Sequence, residues 1–517
     1  MNLRAAFRYR NTNAQRLSPV PLTVDRLAWS AFGGPYQADL SGQAEFSALL
    51  DLVEFLRSPV TIYDQEQDPI WSGFVNQITV QLEQTEITVR LDQLYNRVKV
   101  KYSFISPDNK LAEPLETAWS NDLSSQSEYG IREFVIFRDG IDDDFALSIR
   151  DTFLQIKAWP ESVLSHRLSP GYPQVKIQCL GWFQTLDWQS YENTDQFYAN
   201  HGPGPGTFTV GHQYVDEFFV TQTNARVGQR FGVSGIAHRI KYAYFLMHKE
   251  GSPNTITARI YTNSSDTPTS TLLGTSVALS HTAFPNRGFS WIRFTFDPPA
   301  TFTPSTTMWI VLFPSAVSDV NYYVVRIDEA ANYFRSDHSA KSYNGSTWSF
   351  LPNLTAPGTR PNLFFRVVGI QDTGTQLQDM ATAGNQFFTR VEGITSGVET
   401  SPYRVNGYSC LKEIHNLMKL GTSNQRLILA RVSHTRQLEF YEQPNPRTPT
   451  AWLASDGKFY DRRGTPIKPC SPPVGQFAHL AGTARLSPVW DAHRVPSTFI
   501  ENVVFDPHKQ QLKINSF

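Results

Sequence analysis

The side chains that could do chemistry here are few, and their spacing limits what each can do. Tyr333, Asp337, Tyr343 and Trp348 lie close together, with Asn344 among them. Carbohydrate sites use flat aromatic faces beside amides and carboxylates, so these four are candidate glycan contacts. The competing reading is packing, with Trp309 and Trp348 buried between two sheets. Asp328, Glu329 and Asp337 offer hard oxygens of the kind that hold calcium, but they do not spell out a ligand set, and no metal is expected. Asp142-Asp143-Asp144 precedes a helical pattern, and acidic residues in a first turn complement the helix dipole. A cation site or acid catalysis are the alternatives there. His415 falls off the apolar face of its helix and reads as a solvated or contact histidine.

Nucleophile and phosphate motifs are missing. The chain has no His-Glu-x-x-His, no Gly-x-Ser-x-Gly, no phosphate loop and no dinucleotide fingerprint. Gly407-Tyr408-Ser409-Cys410 lacks the closing glycine, and the run from Gly202 to Gly206 is too rich in proline to cradle a phosphate. We therefore expect no catalytic residue and no cofactor. A paired-carboxylate glycosidase leaves no sequence signature, so one built on Glu329 or Asp337 stays open as an alternative.

Composition narrows the partners. Lys and Arg total 46 against 47 Asp and Glu, a net charge of −1, which does not suit a protein that grips nucleic acid through a basic stripe. The 3 cysteines in 517 residues, Cys179, Cys410 and Cys470, give neither a disulfide framework nor metal spacing. They read as buried or incidental thiols in a protein made in a reducing compartment. The basic start, MNLRAAFRYRNTNAQR, has no signal-peptide core, and no apolar run is long enough to span a membrane.

The elements that must position these residues are mostly strands. From Ser58 to Tyr102, Val60 and Ile62, then Ile78, Val80 and Leu82, then Ile87, Val89 and Leu91, then Val98, Val100 and Tyr102 alternate with polar neighbours. Period-two alternation predicts half-buried antiparallel strands. Breaks are expected at Asp64–Pro69, Ser72-Gly73 and Glu83–Glu86, and a small barrel is the natural closure. Helical spacing appears at Phe46, Leu49, Leu50, Val53 and Leu56. It recurs at Phe145, Ile149, Phe153 and Ile156, and at Leu411, Ile414, Leu417 and Met418, the last capped by Ser409 and ended by Gly421. A hairpin is predicted over Ile428–Val432 and Leu438–Tyr441, and a final one over Phe499–Phe505 and Leu512–Ile514. The segment 175–190 echoes 87–102 at a constant offset: Leu91 falls on Cys179, Leu94 on Trp182, Tyr95 on Phe183, Val98 on Leu186 and Val100 on Trp188.

One set of residues resembles the barrel of phage tail-hub proteins. It comprises Trp29 with Phe32-Gly33-Gly34-Pro35, Pro59-Val60-Thr61-Ile62, Trp71-Ser72-Gly73, Leu94-Tyr95-Asn96-Arg97-Val98 and Tyr129-Gly130-Ile131-Arg132-Glu133. The resemblance implies a homotrimeric ring at the distal end of a tail tube. Its neighbours would be the tube or distal tail protein and the tape-measure and tip proteins, and DNA would pass through the lumen without specific binding. It implies a virion component made in the host cytoplasm. Two similar units per chain let three copies match a sixfold tube.

Beyond His201–Gly206, expected to be a flexible joint, about seven strand-like runs separated by turns predict an inserted β-sandwich. Its Gln229–Val233, Lys249–Pro253, Ala258–Tyr261, Trp309–Leu312 and Asn344–Trp348 resemble jelly-roll anchor modules, which are similar in fold to carbohydrate-binding modules. That resemblance implies a sandwich and, more weakly, contact with a host-surface glycan. The expected fold is mainly β with minor α. The first barrel covers 1–165, the second covers 166–204 and 370–517, and the sandwich covers 205–369. The competing function is a glycan-binding surface protein or glycosidase that works through the sandwich.

Overall fold

The computed structural model describes the chain except residues 1, 13, 104–114, 194–198, 202–214, 221–225, 233–238, 303–305, 329–338, 352–361, 401–404, 446–449, 455–457, 462, 470, 481–496 and 517. The fold is mainly β with short helices. It divides into two compact units: Met1–Glu192 with Thr373–Val398 and Val405–Phe517, and Asn193–Asp372 with Glu399–Arg404. The second unit begins earlier and ends later than the expected 205–369. The joint at 202–206 lies outside the described residues.

In the first unit, one large sheet runs through Arg4–Arg8, Pro59–Tyr63, Pro69–Arg90, Glu161–Gly181, Phe32–Gln43, Thr23–Ser30 and Ser497–Asp506, in that order. Among the described residues this path stays open, where a closed or nearly closed barrel was expected. The expected breaks at Ser72-Gly73 and Glu83–Glu86 are also absent, since Pro69–Arg90 is a single strand. Its partner Glu161–Gly181 shifts register around Gly171, which sits opposite Glu83. Glu83 takes a positive φ of 36°, so a bulge absorbs the turn-forming residues without ending the ladder.

The two halves of this unit share an order of elements. In the first half, the strand ending at Arg90 leads through a turn to the strand Arg97–Ser103. A helix Leu123–Tyr129, a strand Glu133–Asp139, a helix Asp143–Lys157 and the strand Glu161–Gly181 follow. In the second half, Glu161–Gly181 leads through the 3-10 turn Trp182–Trp188 to Ser190–Asn193. Later come the helix Thr373–Ala383, the strand Val405–Ser409, the helix Cys410–Met418 and the strand Ile428–Val432. Arg97–Ser103 pairs with Glu133–Asp139, and Ser190–Asn193 with Val405–Ser409. The offset seen in sequence aligns burial at four of the five pairs: Leu91, Leu94, Val98, Val100, Cys179, Trp182, Leu186 and Trp188 are buried, while Tyr95 is half-buried opposite the buried Phe183. It does not align local structure beyond Arg90, because Leu91 lies past its strand while Cys179 lies within one, and Val98 and Val100 lie on a strand while Leu186 and Trp188 lie on the 3-10 turn.

Local signals set the helix starts. Asp142 Oδ1 accepts from Phe145 N at 2.8 Å and Ser409 Oγ from Lys412 N at 3.2 Å, each satisfying an orphan donor of a first turn. The helix Asp143–Lys157 differs from expectation in one respect. Ile149 and Phe153 pack on Val98, Val100 and Ile136, but Phe145 and Ile156 are 56% and 68% exposed. The packed face is shifted round the helix from the expected one, with Ala146 and Leu154 joining Ile149 and Phe153 on the cluster.

The second unit is two sheets face to face. One contains Phe365–Asp372, Arg239–Glu250, Ser290–Thr301, Tyr322–Asp328 and Val215–Val220. The other runs Thr267–Thr275, Ile256–Ser264, Thr307–Pro314, Arg226–Gly232, Ser339–Tyr343 and Trp348–Phe350. Alternate residues, among them Ile256, Ala258, Ile260, Met308, Ile310, Leu312, Val227, Phe231 and Ala340, fill the space between the sheets. Gln229, a fully buried polar side chain on that inner face, is satisfied, donating to Asn362 Oδ1 at 3.0 Å and accepting from Leu363 N at 2.7 Å.

Candidate functional site

Strand alternation places the aromatic candidates on the outer face of the six-stranded sheet. Because Met308, Ile310 and Leu312 point inward, Trp309, Val311 and Phe313 point outward. Arg226 lies opposite Tyr343, and Tyr343 opposite Trp348. Gly228 lies opposite both Val311 and Lys341. Arg259 lies opposite Val311, and Thr257 opposite Phe313. One row across the sheet is therefore Thr257, Phe313, Arg226, Tyr343 and Trp348. The next is Arg259, Val311, Gly228, Lys341 and Phe350.

Tyr343 and Trp348 come together, with ring centroids 5.2 Å apart, and both are half-buried. Asn344 Oδ1 closes the turn between them, accepting from Ser346 N at 3.0 Å and Thr347 N at 2.9 Å. Trp348 stands 6.3 Å from Trp309. A Cβ on Gly228 would sit 3.3 Å from each indole, so glycine there lets both rings lie close over the strand. The expectation that Trp309 and Trp348 pack between the sheets is corrected: both belong to the outer face. Trp309 is nonetheless fully buried there, its Nε1 donating to Asn263 Oδ1 at 2.8 Å. Tyr333 and Asp337, with Glu329, lie outside the described residues, as does the side chain of Asp328.

Sequence reasoning missed the cations of this face. Arg226 and Arg259 each place Cζ 3.7 Å from the centroid of Phe313. They come from the strands on either side of it, and two groups at that distance cannot share one face of a ring, so the ring is clasped between guanidinium groups. Burial holds the Arg226 guanidinium below its ordinary value. The titratable groups facing it are Tyr343, Tyr261 and Arg259, with no carboxylate among them. Arg259 Nε is buried without a hydrogen-bond partner. Arg230 differs, since it pairs with Asp266. The missed signal was the alternation Arg226, Gly228, Arg230 against Val227, Gln229, Phe231.

In the first unit, the stretches that carried the hub resemblance meet. Asn96 is fully buried. Its Nδ2 donates to Ser125 Oγ at 3.1 Å and Gly130 O at 2.8 Å, and its Oδ1 accepts from Arg132 N at 2.8 Å. Arg97 pairs with Glu133 at 2.9 Å. Buried Arg132 stacks 4.4 Å over Trp188, and burial pushes its guanidinium down to about 10. These contacts hold the architecture together. His415 packs against Phe32 and Phe183, as a contact histidine, with Nε2 buried and unpartnered. Asp64, Glu66 and Asp68 converge, but the Lys468 ammonium already occupies their centre, at 2.9, 2.6 and 3.3 Å.

No protein-family profile matches the chain, and no curated protein does. Solved structures resemble it only faintly. A glycoside hydrolase family 43 arabinoxylan arabinofuranohydrolase from Bacillus subtilis aligns at 8% identity over 60% of this chain and 64% of that one, with a TM-score of 0.14. An uncharacterized protein from Listeria monocytogenes aligns at 10% identity over 52% and 20%, with a TM-score of 0.11. The infectious bursal disease virus Gx strain structure aligns at 9% over 71% and 74%, with a TM-score of 0.11. This chain thus spans under two thirds of the first two. At these scores the likenesses carry no argument about fold or function. Among the described residues, no helix is long and apolar enough to cross a membrane.

Proposed function

We propose that this chain is a structural component of a phage or phage-like virion, a homotrimeric hub at the distal end of the tail tube. The hub adapts a sixfold tube to a threefold tip and leaves a lumen through which DNA passes. The sandwich contacts a host-surface glycan or a neighbouring tail protein.

One observation carries the reading: part of the first unit is built as though another copy should cover it. Phe32–Gln43 pairs with Glu161–Gly181 only as far as Gln174. Beyond that point, Glu161–Gly171 and Glu83–Arg90 pair with each other alone among the described residues. A two-stranded ribbon is marginal in water and leaves open edges. Val163 and Leu164 point to opposite faces and are 40% and 72% exposed, and Tyr172 is 84% exposed, so neither face is fully covered by the described residues. A neighbouring copy supplies both the missing strand partner and the apolar cover. Repeated around a threefold axis, one such contact closes a ring. The shared order of elements in the two halves supports the match to six tube subunits.

Light scattering and negative-stain electron microscopy test the proposal. The expected particle is a ring with three times the 58.5 kDa chain mass. Leu164→Asp should yield monomers with an unchanged circular dichroism spectrum. A wild-type monomer, or a trimer indifferent to that substitution, rejects it.

A further inference from the structure

We infer that the outer face of the six-stranded sheet is a binding site for an acidic polysaccharide, with Arg226 and Arg259 receiving the carboxylate of a uronic acid residue. The inference rests on the reading of the sandwich as a surface-contacting module and is independent of the hub assignment.

Two half-buried guanidinium groups clasp one ring, and among the described residues no carboxylate is found with the titratable groups that face Arg226. Like charges this close repel, and burial raises the cost. An anion at the edge of the clasped ring offsets both penalties, and the planar guanidinium fork matches a planar carboxylate. Beside Arg226 in the same row, with Arg259 in the next, stand Tyr343 and Trp348, flat faces suited to the apolar side of a pyranose ring. The row crosses five adjacent strands, Thr257 to Trp348, and at the usual strand spacing covers roughly 19 Å, the reach of a short oligosaccharide. The neighbouring cations are engaged: Arg230 with Asp266, and Lys341 with the Asp266 carbonyl at 2.5 Å and over Phe350. Charge recognition therefore concentrates at one point on an aromatic track. That pattern fits a polymer bearing carboxylates on sugar rings. A nucleic acid would need a line of cations along its phosphates.

The test uses the full-length protein in affinity electrophoresis with polygalacturonate, dextran, a glycerol-phosphate polymer or poly-dT in the gel. Polygalacturonate should retard the protein and dextran should not. Retardation should weaken with salt. Arg226→Gln and Arg259→Gln should each weaken it at least tenfold, and Arg226→Lys, which keeps charge without the planar fork, should weaken it less. Trp348→Ala should weaken it comparably. Variant melting curves matching wild type guard against misfolding. Equal binding of dextran overturns the anionic assignment but leaves the glycan reading standing. Tighter binding of the phosphate polymer or of poly-dT overturns the carboxylate assignment. No retardation by any polymer, or arginine variants that bind like wild type, overturns the site itself. Trimer formation is measured separately and is unaffected by any of these results.

Discussion

Replacing Asn96 by Ala should loosen the first unit while leaving the sandwich untouched. The side chain is fully buried and makes hydrogen bonds of 3.1, 2.8 and 2.8 Å to Ser125, Gly130 and Arg132. Losing a buried pair removes about 1 kcal/mol of net stabilisation, and stranding the Arg132 N–H costs about 1–3 kcal/mol more. Together these come to about 3 kcal/mol, or roughly 100-fold in an opening equilibrium. Whole-protein melting is a poor readout for two units, since a single transition is not assured. Hydrogen exchange read by peptide is better. Peptides covering 97–103 and 133–139 should exchange roughly 100-fold faster in Asn96→Ala, while 239–264 in the sandwich should keep the wild-type rate. Acceleration below about fivefold would mean that Asn96 does not hold the two stretches together. Equal acceleration in 239–264 would mean that the units do not open independently.

Three further outcomes are expected. Cys179 and Cys410 are buried, and burial pushes the Cys410 thiol up to about 12 and Cys179 higher than its ordinary value; neither should react with a thiol reagent at pH 8 until denaturant is added, and fast native labelling at either site contradicts this. Burial lowers the His415 value below its unfolded one, so the unfolded chain takes up the proton first and stability should fall as pH drops through about 6.5; His415→Phe should flatten the denaturation midpoint between pH 7 and 5, and an unchanged slope refutes the assignment. Lys468 holds the Asp64 carboxyl below its usual range, so that contact contributes above the unfolded value of about 3.9 and is lost as pH falls through the depressed one. Lys468→Ala should speed limited proteolysis between 458 and 476 at pH 7 but add nothing at pH 2, and equal cleavage of variant and wild type at pH 7 rejects the tether.

Legibility followed the range of the forces involved. The Cys410–Met418 helix, capped by Ser409, and the hairpin of Ile428–Val432 with Gln437–Glu442 were readable because capping and periodicity act over a few residues. The strand Pro69–Arg90 was misread as several pieces, since only its partner, shifting register around Gly171, turns Glu83 into a bulge. The exposure of Phe145 and Ile156 was hidden because a broad apolar pattern does not say which part of the helix surface meets the sheet, and Ala146 and Leu154 took that place. Of the four glycan candidates, Tyr343 and Trp348 were visible as ring types near a turn, but their placement on the outer face depended on which strands neighbour theirs.

The amino-acid sequence by itself determined that this is a β-rich chain with a second compact body set into the first, because alternation and turn residues act locally. Tertiary structure alone decided that Asn96 would reach Arg132, that Val163 and Leu164, on opposite faces of one strand, would both stay exposed, and that Arg226 and Arg259 would close on Phe313. Those contacts join strands distant in the chain, and no local pattern encodes which strands become neighbours.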